Sequence, residues 1–495
     1  MIRLAVIIVV LPLIPALATA ITSQARPLGA LSAGCGLVTF GVAVAQAVWL
    51  SDGVREHAIS NLIYLDPLSG FFVTVVSLVV ALASFGSAAY VDAEQRRGDL
   101  GGLQVRLYFI AFALFASMML AAFETGNLGL LWVLIEASTL ASCVLVGLEA
   151  KAVSLEAAWK YIIISSFGVT MALVGTLFVY YAAGNLLGSP TEHLTWSFLF
   201  AHASRLHSQS LRLGFLLVLV GYGTKVGLAP MHTWLPDAHS EAPSPASAML
   251  SAALLNTGMY AIIRFQALTR PALGPGFAGH ALLIFGFASV VVGALFIVLK
   301  GNFKRMFAYS SIEQMGVIAI ALGFGGTLGF YGALLQILTH AIGKAVLFLT
   351  SGDVVLQYRT RLVGEVRGLV SAAPLTGAVL LLAALAVGGS PPFGLFLSEF
   401  TIVRAGLRSS SVALVAALIV LLAVVFVALV SAVADMVFGA PREPARALEP
   451  AYPDRTSSAL AATPLVGGLL VLLVLGVWVP GRLDMLIMHS IHVIS

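Results

Sequence analysis

Charge is scarce in this sequence: Asp, Glu, Lys and Arg make up 10% of 495 residues, whereas 60% are hydrophobic. Cysteine is scarcer still, with Cys35 and Cys143 alone and no CxxC spacing. The first shortage excludes a soluble globular exterior, which needs far more polar surface than this chain can offer. The second excludes a disulfide framework and a cysteine-ligated iron-sulfur cluster in this chain. No cofactor site is visible, so any electron transfer belongs to other chains. A net charge of +4 spread over short loops fits anchoring at a lipid leaflet and not nucleic-acid binding.

What the chain has instead is long apolar runs, and its mean hydropathy is +1.02. Crossing roughly 30 Å of hydrocarbon takes a helix of about 20 mostly apolar residues. Windows of that kind fall near 2–22, 28–50, 63–91, 105–124, 127–149, 158–183, 211–238, 243–269, 278–300, 304–323, 327–352, 372–406, 409–439 and 459–479. The expectation is an all-α polytopic membrane protein of about fourteen transmembrane helices. It divides into 1–104 (helices one to three), 105–269 (a first half, helices four to eight), 270–440 (a second half, helices nine to thirteen) and 441–495 (a loop and helix fourteen). The first window ends in Ala18-Thr19-Ala20, like a signal peptide, but reads as a retained helix. Alternating the loops puts fifteen Lys and Arg on one side, including Lys151, Lys300, Lys304, Arg359, Arg361, Arg442, Arg446 and Arg455, against nine on the other. That bias predicts both termini on the outer side of a cell membrane.

Two windows carry their own interruptions. The seventh reads GYGTKVGLAPMHTWLP, with Gly227 and Pro230 in its middle, and the twelfth reads LAVGGSPPFGLFLSEF, with Gly388, Gly389, Pro391 and Pro392. Proline removes a backbone donor and clashes with the preceding turn, so each helix should break there. Backbone groups freed at membrane depth must face protein or water. The breaks lie five spans apart, and an odd offset between similar units inverts the second unit in the membrane. Two inverted five-helix repeats with discontinuous seventh and twelfth helices point to an ion path between them.

An ionisable residue inside a span costs about 2.5–3.5 kcal/mol on insertion scales, so each is a functional candidate. Glu136 sits mid-span in LGLLWVLIEASTLAS, and Lys225 sits just before the first break. His340 and Lys344 are four residues apart on one helical face, and Glu399 follows the second break. Glu313 and Lys304 lie nearer the predicted inner edge and read as edge residues. Asp66, ahead of Pro67, reads as a helix N-terminal residue with no part in ion movement. His232, Asp237 and His239 resemble a metal cluster in composition, but Pro236 interrupts them and no compact ligand spacing follows, so no metal is expected. The set suits proton transfer. An opposite charge about 4 Å away stabilises a buried ion by roughly 4 kcal/mol at an effective dielectric near 20, and doubling the separation halves that. A small helix displacement would then make Lys225 surrender its proton.

The segments TKVGLAPMHTWLPDAHSEAPSPASAML, NFKRMFAYSSIEQMG, LTHAIGKAVLFL and GGSPPFGLFLSEF carry a family likeness. From about residue 60 to 440 the chain resembles the antiporter-like subunits of complex I, Mrp antiporters and membrane-bound nickel-iron hydrogenases. DAHSEAPSP, SSIE and GSPPFGLFLSE are most similar to hydrogenase-4 component F. The resemblance implies a proton-translocating, non-redox membrane subunit of a redox-driven oxidoreductase complex. Ni-Fe and iron-sulfur centres would lie in partner subunits: other membrane subunits and a peripheral redox arm. Glu136 and Lys225 would form the first-half pair, Lys344 the central lysine and Glu399 the outlet-side residue. Two departures stand out: Asn256 in LLNTG, where many relatives have lysine, and Gln314 in SSIEQMG, where several have histidine. An Mrp-type cation/proton antiporter subunit moving sodium, and a non-conducting structural subunit, are the competing readings. No long amphipathic helix is expected beyond the last span.

Overall fold

The computed structural model describes every residue except 59–61, 300, 441–450, 453–454 and 495, and the backbone alone at 455–457. Lys300, Arg442, Arg446 and the Arg455 side chain, used above for orientation, therefore lie outside the described residues. The chain is helical almost throughout: α1 (Ile2–Ala18), α2 (Ala25–Leu50), α3 (Pro67–Arg96), α4 (Gly102–Glu124), α5 (Leu128–Val146) and α6 (Ala152–Ala182) come first. Then follow α7 (Ser208–Val226), α8 (Trp234–Glu241), α9 (Ser244–Leu273), α10 (Pro275–Ile297), α11 (Phe303–Phe324) and α12 (Gly326–Tyr358). The last are α13 (Pro374–Val387), α14 (Gly394–Arg408), α15 (Val412–Phe438), α16 (Arg455–Val477) and α17 (Gly481–Ile494).

Eleven of these are long and apolar enough to cross a membrane, among the described residues. The remaining windows correspond to the short α1 and to the two interrupted spans, so the architecture is compatible with fourteen crossings. Both expected breaks are present. The seventh span stops at Val226, where Gly227 takes a left-handed φ of 79°, and resumes as α8 at Trp234. The twelfth stops at Val387, turns through Gly389 (φ 78°) and resumes as α14 at Gly394. Protein groups meet the freed backbone, as membrane depth requires: the Trp234 indole donates to Thr224 O at 2.8 Å and Ala229 N to Ser289 Oγ at 2.9 Å.

Burial sorts the helices. The apolar windows of α9 and α12 are 100% buried, whereas those of α15 and α16 are 28% and 33% buried and face outward. The molecule's axis thus runs through α9 and α12, the helices that carry Asn256, His340 and Lys344. Within α9, Leu250–Leu254 form a π-helical turn, a device that re-aims side chains and recurs at functional sites. Helices α10 and α11 touch backbone to backbone: a Cβ on Gly286 would lie 2.8 Å from Gly316 O, and one on Gly293 2.5 Å from the Glu313 Cβ.

Three features escaped the sequence reading. A hairpin pairs Glu56–Ala58 with Ile63–Leu65. The 14-residue amphipathic α17 buries Leu486, Ile487 and Ile491 and ties itself down by Arg482–Asp52 (2.6 Å) and Tyr331–Asp484 (2.7 Å). Asp66 does cap α3, accepting from Ser69 N at 2.8 Å, but it also accepts both Nη groups of buried Arg264 at 2.6 and 2.7 Å. The guanidinium lies 4.4 Å from the Trp196 ring and 4.9 Å from Tyr260. Asp66 is therefore a buried ion-pair partner as well as a cap, a role fixed by a residue 198 positions away.

Candidate proton path

The first cluster forms where α5, α6 and α7 meet. Lys225, fully buried in the last turn of α7, donates from Nζ to Thr139 Oγ1 (2.6 Å), Tyr161 OH (3.0 Å) and Ser165 Oγ (3.4 Å). Its ammonium also lies 5.1 Å from the Tyr161 ring centroid. Glu136, half-buried, accepts from Ser166 Oγ at 2.6 Å and lies 3.5 Å from Thr139 Oγ1. Sequence reasoning paired Glu136 with Lys225 directly; here the Thr139 hydroxyl stands between them. A hydroxyl both donates and accepts, so it can hand a proton from one partner to the other. Thr139 lies three residues after Glu136 on the same helical face, a signal the sequence did carry.

The second cluster lies between α9, α11 and α12. Lys344 donates from Nζ to Phe307 O at 2.9 Å and to Ser310 Oγ. Glu313 is 0% exposed, its carboxylate has the Gln314 side chain beside it, and it feels the charges of both Lys344 and Glu399. That corrects its assignment as an edge residue: α11 turns Glu313 inward, and Gly293 clears the space for it. Lys304 is likewise buried, at 2% exposure, although it sits in the first turn of its helix. His340 is fully enclosed, with the Ser251 backbone beside its ring and no side-chain partner for either nitrogen among the described residues.

Glu399, half-buried beyond the second break, ends the row. Gln314 Nε2 donates to its Oε1 at 3.4 Å; Gln336 donates to Gln314 and Ser398 to Gln336. Gln314, one of the two departures, thus helps to hold Glu399, together with Gln336. No hydrogen bond or ion pair joins Lys344 to Glu399 among the described residues; Glu313 lies between them electrostatically. Asn256, the other departure, donates to Ala252 O at 2.7 Å, and its buried Oδ1 has no hydrogen-bond partner among the described residues. His232 lies half-buried in the first break, apart from the other candidates, with the Pro230 backbone as its neighbour. Asp237 is taken by Lys160 (3.2 Å) and Arg305, away from both histidines. Among the described residues no three His, Cys, Asp or Glu side chains converge as a metal site would require.

The similarity of this arrangement to known proteins is extensive. A family model described as NADH:quinone oxidoreductase/Mrp antiporter, TM, matches residues 125–426, which include both breaks and every candidate above. The chain is 36% identical over 418 residues to a hydrogenase-4 component F homolog of Methylacidiphilum infernorum, spanning 84% of this chain and 86% of that one. It is 31% identical over 359 residues to NADH-quinone oxidoreductase subunit N of Desulforudis audaxviator, spanning 72% and 68%. Its fold matches a chain of the membrane-bound sulfane sulfur reductase, an archaeal respiratory membrane complex, with a TM-score of 0.86 over 99% and 98% at 24% identity. With more than half of its length matched by that family model, the chain belongs to the NADH:quinone oxidoreductase/Mrp antiporter transmembrane family.

Proposed function

We propose that this chain is the proton-translocating membrane subunit of a redox-driven complex of the group 4 nickel-iron hydrogenase or complex I type. One observation carries the reading: two groups of titratable side chains, Glu136 with Lys225 and Lys344 with Glu313 and Glu399, each reach one helix break, and His340 lies in the field of Lys344. Halves 105–269 and 270–440 each supply one break and one mid-span glutamate, half-buried Glu136 and buried Glu313, five spans apart. Glu136 and Lys225 exchange a proton through Thr139, and Lys344 drives Glu399 through Glu313. The 36% identical relative named for hydrogenase-4 component F supports a hydrogenase-type assembly. Its redox centres lie in partner subunits, and its other membrane subunits flank this chain in a bacterial or archaeal inner membrane, both termini outward.

The test is Lys225→Met in the intact complex, in inverted membrane vesicles. Proton uptake should fall at least tenfold at normal assembly, as judged by copurifying subunits. A fully assembled mutant that pumps at the wild-type rate removes Lys225 from the path and overturns the proposal.

A further inference from the structure

A cleft of about 760 Å³ opens on the face that carries the α5–α6 loop and the loop after α12. Its walls include Glu94, Asp99, Glu149, Glu241, Arg359 and Arg361. Arg361 straddles it, donating from Nη1 to Glu241 Oε2 at 2.7 Å and from Nη2 to Glu149 Oε1 at 3.5 Å. These three residues belong to different parts of the fold: Glu241 ends α8 below the first break, Glu149 lies in the α5–α6 loop, and Arg361 follows the helix that carries Lys344.

One step inward is Lys304. Its Nζ donates to the carbonyl of Ala242, the neighbour of Glu241, at 2.6 Å, and it shares electrostatic contact with Arg361, Glu241, Glu149 and Glu94. No carboxylate lies within ion-pair distance of it among the described residues. Deeper still is His239, 0% exposed, face-on to Phe348 at a centroid distance of 5.2 Å, with the Ser247 backbone beside its ring and no side-chain partner for either nitrogen among the described residues. It lies in the field of both Lys304 and Lys344, and in turn acts on His340. An under-satisfied buried polar group costs about 1–3 kcal/mol, so two adjacent imidazoles with no side-chain partner among the described residues, and a lysine held by a carbonyl without a carboxylate, are not a stability device. A neutral imidazole accepts on one nitrogen and donates on the other, which suits it to pass a proton.

We propose that this cleft is the entrance by which protons from that aqueous face reach the central axis, through Glu241 or Glu149, then Lys304, then His239, with Arg361 as its gate. The proposal rests on the proton-translocation reading above. While Arg361 holds both carboxylates as salt-bridge partners, neither takes a proton. When it leaves Glu241, the carboxylate gains a proton from water and gives it to a neutral Lys304 amine, returning to the anion. The Lys304 ammonium gives its proton to His239, which releases its other N–H proton toward Lys344. The gate answers to the axis because Arg361 is three residues beyond Tyr358, the end of the Lys344 helix.

The experiment uses the whole complex in inverted membrane vesicles, which present this face outward if the charge bias of the loops holds. Val153, on the cleft rim and 61% exposed, is replaced by cysteine and treated with a bulky membrane-impermeant thiol reagent. Leu187→Cys, 98% exposed beyond the opposite end of α6, serves as the sidedness control. His239→Gln is tested alongside. Proton uptake should fall at least fivefold on modification of Val153→Cys and by a similar factor in His239→Gln, with no effect of the reagent on Leu187→Cys. Undiminished uptake by fully modified Val153→Cys overturns the entrance, whatever the assembly of His239→Gln. If Lys225→Met still abolishes uptake in that case, only the entrance falls; if Lys225→Met also pumps normally, the translocation reading fails and takes the entrance with it.

Discussion

Replacing Thr139 by valine removes one hydroxyl and almost no volume, and tests the bridge between Lys225 and Glu136. Contacts of 2.6 and 3.5 Å from Thr139 Oγ1 mean that Lys225 Nζ and the Glu136 carboxylate are no more than about 6 Å apart. At that distance, and an effective dielectric near 20, their attraction is about 3 kcal/mol and survives the substitution. What is lost is a hydrogen bond to a charged group, about 1.5–3 kcal/mol, together with the one hydroxyl that touches both charges among the described residues. At about 1.4 kcal/mol per factor of ten, proton movement through this step should slow roughly ten- to a hundredfold in Thr139→Val. Thr139→Ser keeps the hydroxyl and should stay within about threefold of wild type, a difference worth under 1 kcal/mol. The assay is the initial rate of vesicle acidification at matched complex content and matched electron flux. Equal rates in Thr139→Val and wild type, or equal losses in the valine and serine variants, would refute a relay through this hydroxyl.

Four further outcomes are expected. Gly389→Ala places a Cβ 2.1 Å from Glu399 Oε2 at a φ of 78°, so uptake should drop at least tenfold while the complex still assembles; a normal rate would show that Glu399 tolerates displacement. Arg264→Met strands the buried Asp66 carboxylate and should cost about 3–5 kcal/mol, read as a lowered melting temperature in detergent, with Asp66→Asn/Arg264→Met less affected. Asn256→Lys, at a 0% exposed site where Asn256 bonds only the Ala252 carbonyl among the described residues, should destabilise by about 2.5–3.5 kcal/mol without raising conduction; a stable, faster variant would contradict this. Because Glu313 stands between Lys344 and Glu399, the Glu399 carboxyl band in infrared difference spectra should respond more to Glu313→Gln than to Lys344→Ala. The reverse order would restore a direct coupling of the lysine to Glu399.

The features legible in the sequence are those whose cause is local. A helix in lipid must be long and apolar by itself, so the windows were readable one at a time, and the two breaks were readable because Gly227, Pro230, Gly389 and Pro391 act on their own turn of helix. Glu136, Lys225, His340, Lys344 and Glu399 announced themselves by the cost of placing a polar group in an apolar run. Facing and pairing are not local. Whether Glu313 points to an edge or to the core depends on the rotation of α11 against α10 and its glycines. The hydroxyl that joins Lys225 to Glu136 comes from 86 residues away, and the arginine that completes Asp66 from 198. The importance of His239 rests on Lys304 and Lys344 arriving from two other helices. A helical sequence states which faces are polar; only the packing of the spans decides which polar faces meet.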